Sequence, residues 1–447
     1  MDLISFVPQF GGFVQMIVAF VVALSIIVAI HEYGHYIVGR WSGIDADVFS
    51  LGFGPVLYSR MDRRGTLWQI AALPFGGYVK FKGDANASGG MDAEAMSDMG
   101  AAERRRTMNG APLWARSATV AAGPLFNFAL SILVFAGIFM VQGRPTDPVE
   151  VGTLRTLPIE QGLQKGDQIL AIEGEAVPRF DQPAAFDVFL RGLPRENQLE
   201  YTVLRAGQQL AVPGPYVYPP IATAIVPQSA ASDAGMEAGD LILTIDGTEI
   251  SAFEDLRHRV ESSEGAGLQL QVWRDGGILD LVLTPKQMDE PQPDGGFKTV
   301  YRIGIVGGWF FEPATSTPSF VSALGDGAAQ TYEIIRGSLS GLWHMITGSI
   351  STCNLSGPIG IAQTSGEMAS QGTTNFIWFI ALLSTAVGLI NLFPIPVLDG
   401  GHLCFFAYEA VSGRPPSDMV LRVLMSIGLG LILLLMILGT TSDLFCP

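Results

Sequence analysis

"VVALSIIVAIHEYGHYIVGRW", Val21–Trp41, decides the fold. Its first ten residues carry no charge and suit lipid; then His31, Glu32 and His35 arrive, while Tyr36, Ile37 and Val38 continue the apolar run. An ionisable side chain at mid-bilayer costs roughly 2.5–3.5 kcal/mol on insertion scales, so such groups are expected to face inward and to serve a function. His31 and His35 are four apart, hence on one face of a helix, and both imidazoles can reach one ion. In H-E-x-x-H the imidazoles offer lone pairs to Zn²⁺ and the intervening carboxylate, Glu32, takes a proton from water.

The rest of the chain fits a bilayer. Of 447 residues, 48% are apolar and only 15% charged, a balance that excludes an ordinary soluble domain. Besides Phe13–Val38, three stretches are long enough to cross roughly 30 Å of hydrocarbon: Ser117–Val141, Asn375–Phe393 and Val420–Leu438. The first stretch is preceded by Asp2 and no Lys or Arg, so it is expected to remain as an anchor rather than a cleaved leader. Arg40–Trp114 holds nine Lys/Arg against eight acids, which predicts a cytoplasmic loop. Both termini and the region after Val141 then lie outside, in the periplasm of a bacterium. Residues 143–371 carry 28 acids and 14 bases, so nucleic-acid binding is not expected. Cys353, Cys404 and Cys446 lie far apart without metal-type spacing, so they suggest neither a thiolate zinc site nor a disulfide framework and are read as packing residues.

A catalytic zinc needs a third protein ligand and an open position. In "NLFPIPVLDGGH", Asn391–His402, Pro394 and Pro396 break the third crossing and Asp399 follows near membrane depth. Asp399 is the expected third ligand and His402 its rival.

The outer region repeats. "GLQKGDQILAIEG" (Gly162–Gly174) returns 73 residues later as "GMEAGDLILTIDG" (Gly235–Gly247), each with a Gly-Asp turn, a short apolar strand and an acidic-Gly turn. The pattern resembles circularly permuted bacterial PDZ domains over about Val149–Gly214 and Ile221–Gln287. Such folds bind an extended peptide at a sheet edge; rigid spacing or size filtering is the competing role. In the cytoplasmic loop, "DVFSLGFGPVLYSR" and "TLWQIAALPFGGYVKF" flank the charged turn "MDRRG" and predict a membrane-associated β-hairpin, either a plug or an edge that holds substrate. Asp84–Gly110 reads as a mobile connector, and "DEPQPDGG" (Asp289–Gly296) as a separator before an amphipathic segment, Ser319–Gln371.

H-E-x-x-H in the first crossing, "GPLFNF" (Gly123–Phe128) in the second, "LDG" after a Pro-broken third and two PDZ-like modules between together resemble the site-2 protease family of intramembrane zinc metalloproteases, most closely its bacterial sigma-E-regulating branch. The resemblance covers nearly the whole chain. It implies hydrolysis within the membrane-spanning segment of a single-pass protein, such as an anti-sigma factor already trimmed outside, during a stress response at the inner membrane. It also implies His31, His35 and Asp399 as zinc ligands, Glu32 as catalytic base and Asn391 as a substrate-binding residue. Asn127 matches a further motif position whose role stays open.

The expected fold is a multi-pass α-helical membrane protein with four transmembrane helices, a membrane-associated β-hairpin and two tandem PDZ-like α+β domains. Its divisions are 1–40 (first helix), 41–114 (hairpin and connector), 115–145 (second helix), 146–220 and 221–290 (the two modules), 291–371 (outer linker and amphipathic segment), 372–402 (third helix with LDG) and 403–447 (loop and fourth helix). The alternative function is a non-catalytic membrane adaptor presenting two peptide-binding modules; a zinc carrier is disfavoured by third and fourth crossings almost bare of polar residues.

Overall fold

The computed structural model describes residues 6–84, 99–179, 183–292 and 296–445. They form two compact units, one within residues 6–138, 320–346 and 352–445, the other within 139–319 and 347–351.

The first unit is built on helices α1 (Phe6–Trp41), α2 (Leu113–Gln142), α3 (Phe320–Ile346), α4 (Pro358–Ser370), α5 (Thr373–Asn391), α6 (Asp399–Ser412) and α7 (Asp418–Phe445). Among the described residues, Gly12–Trp41, Leu113–Gln142, Thr373–Asn391 and Met419–Phe445 are long and apolar enough to cross a membrane. This is a multi-pass membrane protein. The first, second and fourth run a few residues beyond the expected bounds, because the helices continue past the purely apolar stretch.

α1 is apolar all round, so burial rather than polarity distinguishes its faces. Ala19, Ala23, Ile27 and His31 recur every four residues on its buried stripe, whereas Phe13, Val14, Ile17, Val18, Val22 and Ile26 are exposed. The inner stripe packs on α5 through Ile380, Phe376, Leu383 and Val387. The amphipathic segment is resolved into α3 and α4. α3 meets α2 at Gly327, whose Cα side abuts the Ile132 carbonyl. α4 has its N-terminal amides capped by a carboxylate from α7: Gly357 N donates to Asp443 Oδ1 at 2.8 Å, and Gly360 N to Oδ2 at 3.0 Å.

Between α1 and α2 lie strands β1 (Ala46–Met61) and β2 (Leu67–Phe81). They are more than a simple hairpin. Val48, Phe49 and Ser50 each pair with two residues, Lys80 and Leu67, Val79 and Trp68, and Tyr78 and Gln69, while Tyr58–Met61 pair with Ile70–Leu67. Both strands therefore double back, and Gly52 at φ +89° and Gly76 at φ +127° supply conformations other residues rarely adopt. Phe49, Trp68 and Tyr36 of α1 share one aromatic cluster. Of the connector expected at Asp84–Gly110, residues 85–98 lie outside the described residues; 99–110 are held to the sheet base, with Asp45 N donating to Arg106 O and Lys82 bonded to Glu103.

The cysteine reading needs correction. Cys353 is disulfide-bonded and Cys404 is a free, exposed thiol. Sequence separation says nothing against a disulfide when the fold joins distant segments, as it does here where Ser442 Oγ bonds Cys353 O.

In the second unit the repeat becomes two four-stranded antiparallel sheets of the same order. With β3 (Val151–Leu154), β4 (Gln168–Ile172), β5 (Glu175–Ala176), β6 (Leu199–Arg205), β7 (Gln208–Gly214), β8 (Ala224–Ile225), β9 (Leu241–Ile245), β10 (Thr248–Glu249), β11 (Leu268–Arg274) and β12 (Gly277–Leu283), the orders are β5-β4-β6-β7 and β10-β9-β11-β12. Each Gly-Asp turn has the same internal anchor. Asp167 receives two bonds from Arg205, at 2.7 and 2.6 Å, and Asp240 two from Arg274, at 2.7 and 2.7 Å. Burial pushes the Asp167 carboxyl up, but bonds from Arg205 and the Gln164 amide hold it below the ordinary carboxylate value. In the "DEPQPDGG" stretch, expected as a separator, residues 289–291 belong to β13 (Lys286–Pro291), which pairs antiparallel with β14 (Phe297–Arg302); residues 293–295 lie outside the described residues. β15 (Ile305–Val306) then pairs with β8, and β16 (Phe311–Pro313) with β3, so residues past 290 form a separate two-stranded sheet with a strand that precedes each repeat.

Candidate metal centre

The site sits on the inner stripe of α1. His31 continues the four-residue spacing of Ala19, Ala23 and Ile27, and His35 lies one turn further on the same face. Asp399 opens α6, immediately after the Pro-broken loop. The chain turns there so tightly that a Cβ added to Gly401 would meet the Ile395 carbonyl and lie 2.5 Å from Pro396 Cα, so a larger residue would move the aspartate.

Three atoms converge. His31 Nε2 is 3.1 Å and His35 Nε2 3.4 Å from Asp399 Oδ2, and the two Nε2 atoms are 3.2 Å apart. Zinc bonds of 2.0–2.1 Å at tetrahedral angles set neighbouring ligand atoms about 3.3 Å apart, so this triangle has the edge a zinc site requires. Asp399 Oδ2 is buried and has no hydrogen-bond partner. His35 Nδ1 is 2.9 Å from the Thr119 carbonyl, an acceptor only, so Nδ1 carries the proton and the Nε2 lone pair faces Asp399. Lone pairs meeting in a buried site demand a cation. Among the described residues, this trio is the group of His, Cys, Asp or Glu that could hold a metal.

α2 makes the room. Its Gly123 faces both imidazoles: a Cβ there would lie 2.8 Å from His31 Cε1 and 2.5 Å from His35 Cε1. Thr119, Gly123 and Asn127 follow one another at intervals of four along that face. Asn127, fully buried, puts its amide 3.3 Å from His31 Nδ1. Ser131 Oγ and Ser384 Oγ donate to its backbone carbonyl, and Ser131 also to Ala381 O, which binds α2 to α5.

Glu32 stands beside the trio rather than in it. It lies against β2, where a Cβ added to Gly77 would come within 3.1 Å of its Cγ. His402, the rival third ligand, is outside the group, and its ring packs edge-on to Phe405 at 5.9 Å. Asn391 closes α5 and donates its amide to Val387 O within the helix, at 3.1 Å. The roles of Thr119 and Gly123 escape a sequence reading; their four-residue spacing with Asn127 is the available signal.

The sequence pattern described as peptidase family M50 matches residues 19–435. The chain belongs to peptidase family M50. A protein named as a zinc metalloprotease in Agrobacterium fabrum is 35% identical over 437 residues, covering 97% of each chain. Another so named in Rhizobium meliloti is 34% identical over 430 residues, covering 95% of each. Regulator of sigma-E protease RseP of Salmonella typhimurium is 32% identical over 449 residues, covering 95% of this chain and 97% of its own. This M50 peptidase is accordingly a zinc metalloprotease of the site-2 type, its cofactor is Zn²⁺, and its trio fits that ion by donor chemistry and spacing.

Proposed function

We propose that this peptidase cuts a peptide bond inside the membrane-spanning segment of a single-pass protein, an anti-sigma factor or signal-peptide-like chain, with His31, His35 and Asp399 holding zinc and Glu32 as catalytic base. One observation carries this reading: the 3.1–3.4 Å triangle formed by side chains of a membrane-crossing helix and the loop after another. Zinc bound there supplies Lewis acidity, acidifying water and polarising a carbonyl. Glu32 takes one proton from water as its oxygen attacks the scissile carbon, and returns it to the nitrogen as the C–N bond breaks. The Thr119 carbonyl holds the His35 imidazole in place, and the aromatic cluster of Tyr36, Phe49 and Trp68 holds β1 and β2 beside Glu32.

A helical substrate hides its carbonyls in i to i−4 bonds and must unwind to be cut. Pairing with an edge of the β1–β2 sheet, and contact with Asn391, would stabilise the unwound form. The two outer modules are read as PDZ-like domains that exclude bulky, untrimmed ectodomains. Their matching sheet orders and matching Asp–Arg anchors support a common fold. The proposed setting is the bacterial inner membrane, in contact with lipid, during regulated intramembrane proteolysis. A disulfide at Cys353 supports an oxidising periplasm at that end, and the basic loop supports a cytoplasm at the other.

The test is zinc content together with cleavage of a single-span model substrate by full-length protein. Bound zinc and cleavage abolished by a hydroxamate chelator support the reading. A metal-free protein that cuts nothing overturns it and leaves the adaptor role.

A further inference from the structure

Asn127 has a chemistry that the reaction above does not use. It is completely buried in α2, its amide lies 3.3 Å from His31 Nδ1, and its Oδ1 has no hydrogen-bond partner. With Nδ2 turned to the imidazole, His31 would need its proton on Nε2, directed at Asp399 Oδ2 only 3.1 Å away and at the neighbouring His35 Nε2. A metal ligand cannot keep that proton. Rotating the amide exchanges its oxygen and nitrogen, a choice that only the hydrogen-bond network decides, and presents an acceptor to Nδ1–H.

We propose that Asn127 is a positioning residue whose amide oxygen accepts Nδ1–H of His31 and so holds the tautomer with its Nε2 lone pair toward the ion. Thr119 does the same for His35 from two turns earlier, through its backbone carbonyl at 2.9 Å. α2 therefore carries an acceptor, a glycine gap and a second acceptor at positions 119, 123 and 127, one for each imidazole. The inference rests on His31, His35 and Asp399 being the zinc ligands. Outer partners of this kind are worth about 10–100-fold in metal affinity.

The experiment measures zinc affinity of the full chain in detergent by competition with a chromophoric chelator, and the visible spectrum of the Co²⁺-substituted protein. Asn127→Leu, which keeps the volume, and Asn127→Ala, which adds no bulk should the leucine variant not fold, are expected to lose about 10–100-fold in affinity and to shift the Co²⁺ bands. Asn127→Asp, which keeps an acceptor, is expected to stay close to the parent. Unchanged affinity in the leucine or alanine variant, or equal loss in the aspartate variant, overturns the inference. His31→Ala separates the two levels: if it loses zinc while Asn127→Ala does not, only the role of Asn127 falls; if it binds zinc like the parent, the ligand assignment falls and takes Asn127 with it.

Discussion

Gly123 of α2 and His35 of α1 touch so closely that no side chain fits between them. A methyl group placed there would overlap the imidazole, and it could be accommodated only by moving that ring or separating the helices. Gly123→Ala is expected to lose zinc and at least about 100-fold in activity, since misplacing a reacting group by 1 Å costs that much. Gly137→Ala in the same helix meets nothing within 4 Å and serves as the control. Zinc retained by the Gly123 variant at parental affinity would contradict the packing described.

Glu32 and Asp399 should separate in their effects. Glu32→Gln keeps the shape but cannot take a proton, so zinc content should persist while turnover falls by roughly 10²–10⁴ or more. Asp399→Ala removes one corner of the triangle, and metal content on purification should drop. Unchanged metal content in that variant would redirect attention to His402.

Arg116 of α2 forms a two-pronged ion pair with Glu409 of α6, at 2.6 and 3.1 Å, and stacks over Phe406 at 5.2 Å. Both side chains are largely buried, at 14% and 18% exposure. Removing one partner of such a pair leaves the other charge uncompensated and costs about 3–5 kcal/mol, whereas replacing both is much milder. Arg116→Ala should therefore lower the unfolding temperature more than the double variant Arg116→Met/Glu409→Met. Equal losses would show that the pair adds nothing beyond its bulk.

Asp84, at the base of the β1–β2 sheet, is buried at 6% exposure with one oxygen unpartnered. Burial pushes its carboxyl up to about 7 despite a bond from the Phe81 amide. The folded state thus holds this proton more tightly than the unfolded chain, whose Asp titrates near 3.9. Its contribution to stability is complete below about pH 4 and is lost as pH rises through about 7. Amide exchange at Phe81, corrected for intrinsic rates, should speed up between pH 5 and 8, and Asp84→Asn should flatten that dependence. A flat profile in the parent would refute the burial argument.

Cys353 offers a check on sidedness. A membrane-impermeant maleimide added to intact spheroplasts should label Cys353 only after a reductant is supplied, as mass spectrometry of the digested protein would show. Labelling without reductant, or none even after it, would contradict an oxidised, outward position.

The four crossings and the grouping of His31, His35 and Asp399 were legible because their signals are local. Length and apolarity define a crossing, and four-residue spacing puts His31 and His35 on one face; the third crossing's prolines marked Asp399. What escaped depends on contacts between distant segments. Nothing near Gly123 announces that an imidazole from a different helix fills its missing side chain, and nothing near Cys353 announces a bonded sulfur. Arg205 and Arg274 lie far along the chain from the Gly-Asp turns they anchor, outside the quoted repeat. β15 and β16 are two and three residues long, too short for a period of two to show.

Those two short strands decide how residues 139–319 can be dissected. Because β15 and β16 arrive after residue 290 and go to different partners, a fragment ending at Gln287 would leave β8 and β3 each without its neighbour and expose backbone amides to aggregation. A clean cassette for expression, crystallisation or transplantation runs from before Arg144 to after Ser316, where the ingoing and outgoing chains pair side by side.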